Sequence, residues 1–351
     1  MRLVPVASAL LLATAARASS VSDEISVAGT QSTPQNPRAG SVSNLLNAYV
    51  DVGKSWTVNA SAQVTVEEPT PGPAGAAFPD LGGTVTDFSA CFEWDATDNW
   101  NFGVTVGVSP ESTIRNDARA RVPNLGPTDV LVESTTSLAS LELLAGYDTM
   151  GVSDLEWSFT AGIDLSRMES RQQVTGAQHA DGTSVPPAQV RSECAPAGSG
   201  CRALVPVIDG ISGVLRYARV SASALAIIAR DTDVGVSLDY YGYADDPANV
   251  GLFSTAAVGR FGAGAPIAPL RYLVRPEVAH RFGAFSLKGW AQVGRYVPEA
   301  GQGTAAIGGK AQYKFSRSFR LWVSASGQRD EDASVAVSRT GILALGAAYR
   351  F

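Results

Sequence analysis

The sequence predicts an all-β chain folded as an antiparallel, up-and-down β-barrel that spans a membrane. Three observations predict it. The first is strict alternation. In "SWTVNASAQVTV", Trp56, Val58, Ala60, Ala62, Val64 and Val66 share one face, and Thr57, Asn59, Ser61, Gln63 and Thr65 share the other; a period of two is that of a strand with one apolar and one polar side. The second is length. The alternating runs extend over about ten to thirteen residues, where strands of globular sheets have about 5–6 and a tilted membrane-crossing strand needs about 9–11. The third is rhythm. Short polar links such as "ATDN" (96–99), "RDTD" (230–233) and "SRS" (316–318) take turns with long connections rich in Gly, Pro and charge near 67–83, 109–134, 167–214 and 244–268, as in a barrel with tight turns at one end and long loops at the other.

Taken in order, the pattern places strands near 23–30, 42–52, 55–66, 84–94, 99–109, 136–147, 154–166, 216–229, 233–243, 270–282, 284–295, 303–315, 318–328 and 337–351. "NWNFGVTVGV" and "DLEWSFTAGIDLS" repeat the alternation of the third strand. So does "TAAIGGKAQYKF" near the end, with Ile307, Ala311, Tyr313 and Phe315 against Lys310, Gln312 and Lys314. The total is about fourteen, an even number that leaves both chain ends on one side. The first, "DEISVAGT", carries the weakest pattern, and without it the total falls to about twelve. No linker or helical repeat divides the chain, so 19–351 reads as one domain.

Residues 1–18 read as a secretory signal peptide: Arg2, a short apolar run from Leu3 to Ala13, and the small-residue site Ala16-Arg17-Ala18. No later run of about 18 apolar residues suggests a membrane helix. Charged residues are only 17% of the chain, and the formal charge of −6 gives nucleic-acid binding no support. Cys194 and Cys201 flank a Pro/Gly/Ser stretch in an exported chain, and a disulfide between them is expected. Cys91 has no evident partner and reads as a small side chain in a strand.

The chain ends in "GAAYRF". Gly341, Leu343, Leu345, Ala347, Tyr349 and Phe351 fall on one face of the last strand. Tyr349 and Phe351 then point to lipid at the membrane rim, where aromatic girdles sit. Here the sequence resembles bacterial outer-membrane β-barrel proteins, a porin-like class whose members commonly close on Gly-x-x-aromatic-x-Phe. Gly346, Tyr349 and Phe351 match that pattern; Ala344 stands where the class usually has a polar residue. The resemblance implies a Gram-negative outer membrane, contact with its lipid, short turns on the periplasmic side, and recognition of the terminal strand by the barrel-assembly machinery.

In such a barrel the polar face is inside. Parity then places Asp87, Glu93, Glu142, Glu156, Asp164 and Asp239 in the lumen on the earlier strands. On the later ones it places Arg271, Arg275, Arg281, Lys288, Lys310, Lys314, Arg320 and Arg350, with Arg219 and Glu277 breaking the order. An acidic wall should thus face a basic one. Two readings follow. In one the charges line a water-filled lumen that passes small hydrophilic solutes by passive diffusion. In the other they pair across a closed, structural barrel whose long loops bind a partner. Trp290, Trp322, Tyr49, Tyr241 and Tyr243 also fall inside, as a stacking platform or as filler. The 167–214 segment is expected to be a long loop that constricts the lumen, caps the mouth or stays exposed.

Nothing suggests an enzyme, a cofactor or a metal site. No GxSxG elbow or HExxH occurs, and His280 lies on the apolar face near a short turn while His179 sits in the long loop. No segment before the first strand has the size of the plug of a large active transporter. The expected activity is that of a channel or porin-like transporter, a form compatible with a homo-oligomer.

Overall fold

The computed structural model describes residues 19–32, 39–69, 78, 81–149, 156–202, 204–229, 231–245, 247, 270–297, 303–331 and 337–351. The expected signal peptide and most of the connections near 67–83 and 244–268 lie outside these residues. Fourteen strands form one closed barrel: β1 Ser20–Ser32, β2 Ala39–Val52, β3 Trp56–Pro69, β4 Gly82–Asp95, β5 Trp100–Val122, β6 Gly126–Asp148, β7 Glu156–His179, β8 Ile211–Ala229, β9 Thr232–Tyr243, β10 Leu270–Phe282, β11 Phe285–Tyr296, β12 Gly303–Lys314, β13 Phe319–Glu331 and β14 Val337–Arg350. Each pairs antiparallel with its sequence neighbours. The weakly patterned β1 closes the ring, pairing with β2 on one side and, from Ser20↔Arg350 to Ser32↔Ser338, with β14 on the other. Closure leaves no strand edge, so every backbone polar group can be paired in a medium without water.

The apolar parity faces out. Val104, Val106, Val108, Leu143, Leu165, Val236, Leu238, Ile307, Leu343 and Leu345 are all 40% exposed or more, and in water such a belt would be untenable. At the short-turn end rings touch in a girdle: Trp56 on Trp94 at 5.9 Å, Trp100 on Phe102 at 6.1 Å, Trp157 on Phe159 at 5.7 Å and Tyr349 on Phe351 at 5.0 Å between centroids. Short turns and an aromatic girdle together mark the periplasmic end of outer-membrane barrels, and the two ends are labelled periplasmic and extracellular on that basis. His280 faces out there too, its ring 4.3 Å from that of Phe282 and bonded to the Thr232 hydroxyl at 2.7 Å.

Of the segments expected as loops, 109–134 is almost wholly strand and 167–214 begins and ends as strand. Most of 109–134 belongs to β5 and β6, which meet in a tight turn at 123–125, and β7 continues from 167 to His179. The alternation was hard to follow because its phase inverts. The β5–β6 register shifts between Ser109 and Ser112, across Pro110, which has no N–H for the ladder. Below the bulge the even residues of β5 face lipid (Val104, Val106, Val108). Above it the even residues Ile114, Ala120 and Val122 turn to the concave side. On β6 and β7 the apolar residues change parity instead: Val130, Val132 and Val174 lie on the face that Glu142 and Asp164 occupy lower down.

The result is a wall of three strands, 23, 23 and 24 residues long, that rises beyond the rest. On its concave side pack two short helices, α1 Pro187–Cys194 and α2 Leu204–Asp209. Val130, Val132, Val190, Cys194, Leu204 and Val207 form a dry core there. Cys194 and Cys201 are joined in a disulfide, and Cys91 is free on β4. Arg191 grips Asp209 through Nε and Nη2, joining the helices; Asn124 at the wall's tip donates to Glu193 at 2.7 Å. The hydrogen bond from Arg191 holds the Asp209 carboxyl below its ordinary pKa, as the backbone N–H of Thr183 does for Asp181.

Candidate functional site: the barrel lumen

The inward parity carries the polar residues, and their contacts divide the lumen into zones. On β6–β9, Glu142 and Asp164 stand opposite each other, and Arg219 of β8 reaches both, at 2.7 Å and 3.5 Å. Asp239 and Tyr241 lie on β9 beside them. Asp87 accepts from the Ser109 hydroxyl, and Glu93 lies beside Cys91. Glu156 sits at the periplasmic lip, in the first position of β7.

On the opposite wall, Lys288 bonds Glu277 at 2.7 Å and Arg281 bonds Asp233 at 2.6 Å. Arg275 lies over the Trp290 ring at 4.5 Å, and Lys310 over Trp322 at 4.3 Å. Trp322 donates to Glu24 of β1. Each ring lies flat across a neighbouring strand because that strand has a glycine beneath it: a Cβ on Gly308 would run into Trp290, and one on Gly346 into Trp322. Gly346 thus faces the lumen as the seat of a ring, while Tyr349 and Phe351 face lipid. Lys314, Arg320 and Arg350 converge with Arg317 around a cavity of about 440 Å³ at the periplasmic mouth, which also has Tyr49 and Asp51 on its wall. Arg271 stands at a register shift at the extracellular end of β10.

Each stretch of the wall holds both signs of charge, and among the described residues the ion pairs join near neighbours and none crosses the lumen. Arg219 and Glu277, the two residues that break the order of charges, are the hubs. Removing Arg219 would leave the largely buried Glu142 and Asp164 without their partner.

Sequence reasoning placed Tyr243 inside but missed the apolar group it joins at the extracellular end of the lumen. There Met168 and Leu215 are buried against Leu138, Ile211, Tyr217 and Tyr243, and Tyr243 also packs on Tyr296, Val297 and Leu270. Ile211 in turn joins this group to the core under the helices. The result is an apolar, aromatic crescent running along the mouth from β6 to β11. Its sequence signals are the inward parity of Tyr243 and that of Leu215 and Tyr217, which share the face of Arg219.

No protein-family model matches the sequence, and no curated protein does. Solved structures do match. A FadL homologue of Pseudomonas aeruginosa superposes with a TM-score of 0.55 at 13% identity, over 95% of this chain and 90% of that one. The CymD monoaromatic hydrocarbon channel gives 0.57 at 8% identity, over 95% and 88%. The toluene transporter TbuX of Ralstonia pickettii gives 0.56 at 10%, over 95% and 89%. The chain shares the fold of bacterial outer-membrane β-barrels. At these identities the likeness is one of fold, that of barrels from the Gram-negative outer membrane.

Proposed function

We propose that this outer-membrane barrel is a channel that admits small apolar or aromatic solutes through the crescent at its extracellular mouth. The carrying observation is the crescent itself: Leu138, Met168, Leu215, Tyr217, Tyr243 and Tyr296 gathered on the inward side at the mouth of a barrel whose lumen holds the charged Glu142, Arg219, Glu277 and Lys288. Burying one such side chain's worth of apolar surface is worth about 1.5–3 kcal/mol, enough to draw a solute from dilute solution to the mouth. Tyrosines supply ring faces for aromatic guests. The cargo named for CymD and TbuX is of this kind.

The test is flux into proteoliposomes of toluene against a sugar of similar size, for the parent and for Leu215→Ser with Tyr217→Ser. The reading expects the parent to take up toluene faster than bare liposomes do, and the variant, folded by its heat-modifiable gel mobility, to lose about tenfold. Equal toluene uptake by both would contradict it.

A second reading is passive diffusion of hydrophilic solutes through the charged lumen, favoured by the inward parity of Glu142, Asp164, Asp239, Arg275, Lys288 and Lys310. Under it, Arg275→Glu with Lys310→Glu shifts the reversal potential in a salt gradient toward cation selectivity, and Glu142→Lys with Glu156→Lys shifts it toward anions. Silence in planar bilayers with no solute flux would leave the closed, loop-binding barrel. For assembly, we propose that Tyr349 and Phe351 are read by the barrel-assembly machinery. Deleting Phe351 should lower the outer-membrane yield; an unchanged yield would count against it.

A further inference from the structure

The outward face of a membrane barrel should be apolar up to the headgroups and should not set like charges side by side. Two pairs break the second rule. Arg167 of β7 lies directly opposite Arg216 of β8, and Arg329 of β13 directly opposite Arg339 of β14. All four have the lipid-facing parity and are exposed. They also share a depth: Arg167 stands above Trp157 on its strand, Arg216 above Ala226, Arg329 above Phe319 and Arg339 above Tyr349, by the same run of residues. At about 3.3 Å per residue and a strand tilt near 40° this run climbs roughly 25 Å, the height of the apolar band. The pairs therefore lie at the headgroups of the outer leaflet.

Directly opposed like charges destabilise a strand pair. The two sites answer this in the same partial way. Arg167 bonds Glu169 and Arg329 bonds Glu331, two residues along the same strand. Arg216 and Arg339 have no such partner among the described residues. Each pair keeps a net positive charge and a guanidinium with free donors. Beside the first pair is a shallow, mostly apolar groove of about 670 Å³, lined by Ala139, Leu141, Leu165 and Ala218 below the two arginines, with Gly242 and Ala244 at its side. Small side chains there leave room against the wall for an acyl chain.

We propose that Arg167 with Arg216, and Arg329 with Arg339, are binding sites for the phosphate headgroup of an outer-leaflet lipid, whose acyl chain lies in the Leu141/Leu165 groove at the first site. One phosphate between two guanidinium groups accepts charge-assisted, forked hydrogen bonds from both and turns their repulsion into a bridge. The first site has both charge and groove and is the stronger. The proposal does not depend on what the lumen carries.

The test uses the full barrel in a neutral detergent, with diphosphoryl lipid A, its dephosphorylated form and inorganic phosphate as probes. Bound lipid is read by native mass spectrometry and stability by the heat-modification midpoint. The parent should retain diphosphoryl lipid A and gain stability with it, more than with the dephosphorylated form. Arg216→Gln with Arg339→Gln should bind it about tenfold more weakly. Without lipid the same variant should be as stable as the parent or more so, since a repulsion has been removed. Unchanged lipid binding by the variant would overturn the proposal. So would equal binding of both lipids by the parent, a comparison that needs no variant to fold. Inorganic phosphate matching the lipid's effect would overturn the lipid assignment.

Discussion

The barrel wall and the raised wall of β5–β7 are built from the same strands, yet they turn opposite faces to oil. Below the bulge at Ser109–Ser112, Val104, Val106 and Val108 point outward; above it Ile114, Ala120 and Val122 point inward and are buried. In the bilayer the apolar solvent is outside, and the inside holds charge. Above the bilayer water is outside, and the only dry place is the concave side, where α1 and α2 close the core. The difference teaches that alternation reports two faces, while the surrounding solvent decides which one is buried. The crescent lies at the changeover, which is why apolar residues gather at the mouth of a charged lumen.

If the two regions have separate cores, damage to one should spare the other. The largest effect is expected from Val130→Asp, in the dry core of the raised wall. An unpaired buried charge costs about 3–5 kcal/mol. The helices should come loose and the 180–186 connection become a protease site, while the heat-modifiable barrel band persists. Loss of that band would merge the two regions into one folding unit. Next is Val106→Arg on the lipid face. At mid-bilayer it should cost about 2–4 kcal/mol and lower the yield of inserted barrel. A normal yield would mean that Val106 does not face lipid.

Third, reducing the Cys194–Cys201 link, or replacing both residues by Ser, should weaken the helical cap by about 2–3 kcal/mol. Hydrogen exchange should rise in 187–209 and stay unchanged in β10–β13; uniform protection throughout would show that the cap does not rely on the link. The smallest effect is that of acid. Asp209 and Asp181 have lowered pKa values in the folded state. Their contribution is therefore present above the ordinary Asp value of 3.8 and is lost as the pH falls below it through the lowered values. Cap exchange should quicken in that window, and Arg191→Ala should remove the part that Asp209 contributes while leaving that of Asp181. A pH dependence intact in that variant would assign it to other groups.

Much of the fold was legible because membrane strands must alternate and must be long. Residues from Trp56 to Val66 and from Gly341 to Phe351 cannot satisfy both lipid and lumen in any other register. Even β1, with its weak pattern of Ser, Asp and Gly, was needed to make the total even. The raised wall was not legible, because a Pro-containing bulge on β5 and a change of parity near Val132 and Arg167 look, in one dimension, like the end of a strand. The lumen was half legible. Parity gives the side of Glu142, Arg275 and Lys310, but not that Arg219 and Glu277 gather the charges locally. Nor does it reveal that Leu215, Tyr217 and Tyr243, far apart from Leu138 and Tyr296 in sequence, meet at one mouth; that depends on pairing between strands.

The most direct test of the change of faces compares two labels on β5, at Val106→Cys and Arg121→Cys, in a Cys91→Ser background that keeps the disulfide. Both side chains point outward, one below the bulge and one above it. With a small fluorophore at each, lipids brominated in their acyl chains should quench position 106 strongly and leave 121 bright, and aqueous iodide should do the reverse. Quenching of 121 by the brominated lipid would place the raised wall in the bilayer and contradict the account.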